Sequence, residues 1–500
     1  MNLTFLINKI IKSSPLIVWT LALLLVLLQG HLFLVGFRLS ADDVMYHARF
    51  MDGTASMIDF IYSSAIFQGR VGNYLNSPLL LVGAYYADQA FFRLFYVALY
   101  FLNFLLFAKY IAALLNRSIT LFLFIVMVVF NPLGYNLSPP NAYPLLLGIP
   151  FLMILCSRLA LFQGQSNTAS VSKLTRIVTS CIFGLSMLIN EYAFIFGVML
   201  LIAEFFASLT RAAPVLNLQS FIAQIYLQWR DWLVVLLVLI IYFAYRWIFP
   251  TQYNGNIPNG IASPWLLVQT IFAHIYFGLS IAPSTTLQGA PILLAPLKSI
   301  PLVQIIITLT VFLLTLVLVL HSSLLIKKIK RPITLFFLAT ALAIFACIPI
   351  ALTEKYQSWL TYCKFLEGGP GCAYIDSRIA YFAVCVALFS IFWIMLPANN
   401  HSYLDRGRRV LIALLIGVVS AFTYLHNWRT SELMKNDVAV WKRAAQIACS
   451  PQFASASDEE IVAYIDPNQL TQLHPEFLKG SYWRNYLANQ RQSNACDPKN

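Results

Sequence analysis

Two adjacent aspartates, Asp42 and Asp43, stand in the stretch FRLSADDVMYHARF (37–50), where the first strongly apolar run of the chain ends, with Arg38, His47 and Arg49 close by. Carboxylates so placed can take a proton from a hydroxyl, and arginines can fork onto phosphate oxygens through two parallel hydrogen bonds. The same residue types recur as Arg70 in QGR, Glu191 in INEY, and Asp376 and Arg378 in AYIDSRIAY. Acid–base chemistry on a hydroxyl beside a bound phosphate is what this set could perform. Each residue also has a plainer reading. One aspartate of SADD can cap a helix, because Ser or Asp there satisfies free N–H groups. His47 reads as a neutral loop histidine, Arg70 as a side chain snorkelling to lipid phosphate, and Asp376 as the ion-pair partner of Arg378. Glu191 is either a carboxylate facing a cavity at membrane depth or an exposed turn residue in the headgroup zone.

The elements that must hold these residues are membrane helices. The chain is 59% hydrophobic and only 11% charged, against roughly 25% charged in an ordinary soluble domain. Apolar runs near the length that crosses a bilayer as helix fall at 15–37, 90–113, 118–133, 142–163, 175–190, 192–210, 231–249, 301–320, 332–352, 378–396 and 409–425. Lipid offers no partner to backbone N–H and C=O groups, so these runs predict an all-α polytopic bundle of about eleven spans. The first run is too long for the apolar part of a signal peptide and no small-residue cleavage site follows it. It is read as an uncleaved anchor with the N-terminus in the cytoplasm. No phosphate-binding GxxxxGK[ST] loop, HExxH zinc helix or internal repeat is present, which removes ATP-driven pumps and zinc proteases.

Charge supplies the orientation. With the N-terminus inside, Lys9, Lys12, Lys109, Arg117, Arg158, Lys173, Arg176, Arg211, Arg230, the cluster Lys327, Lys328, Lys330 and Arg331, and Arg406, Arg408 and Arg409 all fall on the cytoplasmic side, together with only Glu204, Asp231 and Asp405. This is the positive-inside pattern, and the whole net charge of +13 is then cytoplasmic. It reports topology and excludes nucleic acid as the partner. An odd number of spans puts the C-terminus outside. Cys363 and Cys372 then share one outer loop, and Cys449 and Cys496 share the outer tail, where they are plausible disulfides or free thiols. Cys156, Cys181, Cys347 and Cys385 are expected to be core thiols.

Outer connections are the long ones. A transmembrane module over 1–425 carries a first outer loop at 38–89, in which MIDFIYSSAIFQGR reads as a helix with Ile58, Ile61, Tyr62 and Ala65 on one face, lying in the interface plane. YLNSPLLLVGAYYAD follows as a second short helix. NPLGYNLSPPNAYP (131–144) has four prolines and must be a rigid, non-helical loop. A segment around 264–283, containing His274, is expected as a half-inserted helix. Residues 426–500 are expected to form a small cap on the outer side. Tyr74, Tyr85, Tyr86 and Trp265 suit either sugar stacking or the aromatic belt of an interface.

An Asp-Asp pair directly after the first span, followed by interfacial helices, resembles the GT-C integral-membrane glycosyltransferases. In more detail, DDVMYHARFMDG followed by IFQGRVGNYL is similar to the start of the Gtr-type glucosyltransferases that decorate O-antigen, except that Val71 stands where that pattern has Trp after Gly-Arg. The resemblance covers the overall layout and about forty residues of loop. It implies transfer of a hexose, glucose first, from a polyprenyl-phosphate-sugar donor in the membrane lipid to a hydroxyl of a surface or lipid-linked glycan, with inversion. By position Asp42 or Asp43 would be the base, and Arg49, Arg70, Glu191, Asp376 and Arg378 the candidates for binding donor phosphate and substrate. It further implies a bacterial inner membrane with the active face in the periplasm. No metal-ligand spacing is present, so no obligatory cofactor is expected, although a divalent cation is compatible with the superfamily. Two rivals stand beside this reading: an O-antigen polymerase or ligase, and a lipid-linked glycan flippase or transporter. The second is disfavoured because the span interiors read as apolar, whereas transporters place polar groups near the midplane.

Overall fold

A computed structural model describes residues 15–35, 41–87, 89–133, 140–166, 172–212, 218–253, 264–279, 300–325, 331–353, 356–357, 375–396 and 403–448. Among them are fifteen helices and no strand: α1 Pro15–Val35, α2 Ala41–Met51, α3 Thr54–Gln68, α4 Asn73–Tyr85, α5 Ala90–Leu115, α6 Thr120–Val129, α7 Gly148–Ser166, α8 Lys173–Ile189, α9 Glu191–Ala212, α10 Leu218–Ile248, α11 Pro264–Phe277, α12 Leu302–Leu325, α13 Pro332–Ala351, α14 Ile375–Met395 and α15 Tyr403–Ala448. Eight of these, α1, α5, α9, α10, α12, α13, α14 and α15, are long and apolar enough to cross a membrane. The chain is an all-helical polytopic membrane protein.

Each of the eleven segments expected to span coincides with a helix, yet α6 and α8 have only 10 and 17 residues, and the apolar part of α7 ends at Phe162. At 1.5 Å per residue α6 covers about 15 Å, half of a bilayer core. The chain beyond it, 130–133, is buried but not helical. Irregular backbone at that depth survives only where protein satisfies it, and here side chains do so. Asn427 accepts from the Leu133 N–H at 2.6 Å and donates to the Asn131 carbonyl at 3.1 Å, while Arg378 donates to the Pro132 carbonyl at 2.8 Å and to Asn131 Oδ1 at 3.1 Å.

The span interiors are therefore not apolar throughout, contrary to the sequence reading. Arg158 on α7 is buried between Glu204 on α9 and Asp231 on α10, donating from Nε to Glu204 Oε1 at 2.8 Å and from Nη2 to Asp231 Oδ2 at 3.1 Å. A second contact joins Arg158 Nη2 to Glu204 Oε2. The hydroxyl of Tyr110 on α5 donates to Glu204 at 2.9 Å. The sequence assigned these charges to the cytoplasmic side; the fold turns them inward onto one another.

The residues read as one face of α3 are divided between burial and exposure. Ser64 and Ala65 are buried and Ile61 is half-buried, but Ile58 and Tyr62 are more than half exposed, as are substantial parts of Ile66 and Phe67. In a membrane protein the outward side of a helix meets lipid, so apolar residues there are exposed from the protein's own core. The cysteines differ for the same reason: Cys347 and Cys385 are buried, but Cys156 and Cys181 are exposed and are not core thiols. The helix expected over 264–283 is α11, which stops at Phe277 and packs on α13 and α14. The boundary expected at 425 falls inside α15, whose 46 residues extend about 70 Å, more than twice a bilayer core. Cys363, Cys372, Cys449, Cys496 and the tail beyond Ala448 lie outside the described residues.

Candidate functional site

After α1, three short helices fold against one another, with α4 packed on both α2 and α3 and touching α8. Two glycines let this subdomain sit close to the bundle. Gly69 caps α3 in the left-handed region (φ 61), and a Cβ there would stand 2.7 Å from the carbonyl oxygen of Phe249. A Cβ on Gly72 would lie 2.6 Å from the carbonyl oxygens of both Leu188 and Ile189. No residue but glycine fits without backbone movement. Between this subdomain and the ends of α8–α10, α13 and α14 lies a recess of about 870 Å³, counting the part open to solvent.

Asp42 and Asp43 open α2, where the free N–H groups of the first turn favour negative charge. Their environments differ sharply. Asp43 is fully buried and its two carboxylate oxygens accept from the backbone N–H of Tyr143 at 3.2 and 3.3 Å. Asp42 lines the recess and accepts at Oδ2 from the Tyr143 hydroxyl at 2.5 Å. Tyr143 itself has φ 48, a left-handed conformation that a bulky residue holds only when its surroundings impose it. The aspartate pair thus grips one tyrosine, Asp43 by the main chain and Asp42 by the side chain. Oδ1 of Asp42 is left as the oxygen with which this carboxylate can take a proton in the recess.

Across the recess, Arg70 forks onto Glu191, Nε to Oε1 at 3.0 Å and Nη2 to Oε2 at 2.7 Å. Gln68 Oε1 accepts from Arg70 Nη1 and from Asn73 Nδ2, each at 3.2 Å, which fixes the guanidinium plane. Asn190, in extended conformation between α8 and α9, accepts from the Ala193 N–H at 2.8 Å and donates to the Leu146 carbonyl at 3.0 Å. That cap is why Glu191 begins α9 at this height. On the far side Arg246, in the last turn of α10, approaches Glu191 Oε1 at 3.5 Å. The Tyr242 hydroxyl below it donates to the carbonyls of Met187 and Leu188, 3.1 Å from each.

Of the residues singled out in the sequence, Asp42, Arg70 and Glu191 line one recess. The others do not. Asp43 is sealed in the interior as described. Arg49 donates to Ser56 Oγ at 3.4 Å, away from the recess. Asp376 is fully buried and meets His274 Nδ1 at 2.7 and 2.9 Å, with the Cys347 thiol also beside it, so its partner is His274 and not Arg378. Arg378 serves the backbone of 131–133. His47 is buried with its ring 5.4 Å from that of Tyr85. Tyr85 in turn stacks on Phe50 and Tyr86 on Phe92, at 4.2 and 4.3 Å. The aromatic rings of the recess are instead Phe60 and the tyrosines at 46, 143, 192, 242, 253 and 356.

Sequence reading missed Tyr143 and Arg246. The first stands in NAYP and the second in the last turn of an apolar run, where a basic residue reads as ordinary snorkelling. Among the described residues no group of three or more His, Cys, Asp or Glu side chains is arranged to hold a metal ion. No family model matches the chain, and no curated protein and no solved structure matches it at a significant level.

Proposed function

We propose that the chain is a membrane glycosyltransferase of GT-C type, which moves a hexose from a polyprenyl-phosphate-sugar to a glycan hydroxyl on the outer face of a membrane crossed eleven times. The observation that carries this reading is that Asp42, a carboxylate with one committed and one open oxygen, shares a recess with the Arg70–Glu191 pair. The recess lies beside three short helices that follow the first span, as in the resemblance drawn from the sequence.

In this reading Asp42 Oδ1 takes the proton of the acceptor hydroxyl as that oxygen forms its bond to the anomeric carbon. The bond from the anomeric carbon to the phosphate oxygen breaks, and its electron pair leaves with polyprenyl phosphate beside Arg70. The Tyr143 hydroxyl holds the carboxylate in line. Inversion follows from a single displacement.

The flippase reading gains one observation, because charges buried in the bundle do exist. Arg158, Glu204 and Asp231 satisfy one another, and none of them lines the recess. That pattern supports the transferase over the flippase.

The test is transfer by the full chain in proteoliposomes supplied with polyprenyl-phosphate glucose and the surface glycan, read as a one-hexose increase in glycan mass. Asp42→Asn at normal membrane level is expected to cut the rate by about 10²–10⁴, the contribution of a positioned base. Undiminished transfer by that variant would remove Asp42 from the role of base.

A further inference from the structure

Arg70 is not the sole partner of Glu191, because a second arginine closes on the same carboxylate. Arg70 arrives from the turn between α3 and α4, and Arg246 from the last turn of α10. The side chains of Arg70, Glu191 and Arg246 are 25%, 33% and 38% exposed. They are neither sealed inside the protein nor free in solvent.

Two guanidinium groups and one carboxylate carry a net charge of +1, with Arg70 and Glu191 on the wall of the recess and Arg246 in contact with Glu191. The carboxylate holds both forks of Arg70 with the geometry that a phosphate would otherwise use, since guanidinium matches either group bidentately. Glu191 also begins α9, a helix of 22 residues, whose N-terminal N–H groups favour any anion there. Gln68 keeps Arg70 aimed at this point whether or not Glu191 is present. On the other side the Tyr74 and Tyr245 hydroxyls meet at 3.1 Å and tie α4 to α10, so the two arginines are held at a fixed spacing.

We propose that Glu191 is an internal stand-in for the donor's phosphodiester: it occupies an Arg70–Arg246 clamp and must swing aside when the lipid-linked phosphate enters. The proposal rests on the transferase reading for the identity of the donor. Charge supports it, because a phosphodiester of charge −1 neutralises the two arginines and Glu191 together. A neutral isoprenoid alcohol would find the carboxylate still in place. When the product leaves, Glu191 returns to both arginines, which keeps them from holding the phosphate that transfer generates.

The distinguishing consequence is a gain of affinity. A carboxylate with a merely structural role weakens binding when removed, whereas a competitor strengthens it. The experiment uses the full-length protein in detergent, titrated with polyprenyl phosphate, with neutral polyprenol and with inorganic phosphate. Glu191→Gln is expected to bind polyprenyl phosphate several-fold more tightly. Arg246→Ala is expected to bind it on the order of tenfold more weakly, from loss of one charge-assisted contact. Arg246→Lys should recover part of that loss. Polyprenol affinity should not change in any variant, and melting temperatures identify any variant that has simply failed to fold.

Weaker binding by folded Glu191→Gln, or unchanged binding by folded Arg246→Ala, overturns the clamp. So does a variant pattern shown by inorganic phosphate but absent for polyprenyl phosphate, which would make the site one for a free anion. Sugar transfer is measured separately on the same samples. A clamp that follows the expected pattern in a protein without transferase activity would retain this inference and defeat the transferase reading; active transfer with unchanged KM in both variants would do the reverse.

Discussion

Arginine meets carboxylate twice along α9. At its first residue Glu191 is held by Arg70 and Arg246 with a quarter to a third or more of each side chain exposed. Thirteen residues on, about 20 Å along the helix, Glu204 faces Arg158 with each side chain 5% exposed. The chemistry is the same and the consequence is not. Breaking the exposed pair returns its groups to a recess where water or a ligand can replace the contact. Breaking the buried pair leaves a charge with no replacement, which costs far more than the intact pair contributes. Accessibility therefore separates a pair that can exchange partners from one that fastens helices together.

The largest effect should come from attacking the buried pair. Arg158→Ala strands Glu204 beside Asp231, two like charges without a counter-ion, and should destabilise the fold by about 3–5 kcal/mol. The thiols of Cys347 and Cys385 are buried, so their labelling by a thiol reagent during a thermal ramp measures the loss. A melting temperature within a degree of wild type would break the comparison, because the inner cluster would then be as replaceable as the outer one.

A smaller effect is expected where the recess is assembled. Gly72→Ala drives a Cβ against two carbonyl oxygens that α8 cannot withdraw without unwinding its last turn. Overpacking of this kind costs about 1–3 kcal/mol. Here it should also part Arg70 from Glu191, so transfer should fall by more than stability alone explains. Gly407→Ala is the control, since nothing lies within 4 Å of a Cβ there. Equal behaviour of the two variants would mean that the close approach at Gly72 does not set the recess.

Much of the layout was legible in the sequence, because apolar runs of bilayer length are a direct consequence of lipid as solvent. The helices at 54–68, 73–85 and 264–277 overlap the segments 57–70, 74–88 and 264–283 that the sequence marked as short helices. What escaped was the division of labour among polar residues. Asp42 and Asp43 are neighbours in sequence, yet one faces a recess and the other a main-chain N–H. Arg378 and Asp376 looked like a pair at a membrane edge. Instead Arg378 repairs the backbone where α6 stops short, and Asp376 turns to His274 on α11. Those partners lie 247 and 102 residues away, and only tertiary contact determines them. Arg246 was missed for the opposite reason. Its local context is ordinary for a span end, and its meaning appears only when Glu191 is placed beside it.

The smallest expected effect sharpens the comparison most. Arg158 serves two carboxylates, so the buried cluster carries one negative charge more than it can neutralise within itself. Asp231 is the more exposed of the two, at 17% against 5% for Glu204, and its removal leaves Arg158 and Glu204 as a balanced pair that keeps the Tyr110 hydroxyl. Asp231→Asn should therefore change stability by no more than about 1 kcal/mol, the range of a partly solvated ion pair. Glu204→Gln, at the same arginine, should cost several times that, because it removes the buried charge that Arg158 meets at two points and leaves only the more exposed carboxylate. A thermal shift as large for Asp231→Asn as for Glu204→Gln would show that the three charges act as one unit, and exposure would then fail as the rule that distinguishes the two arginine sites.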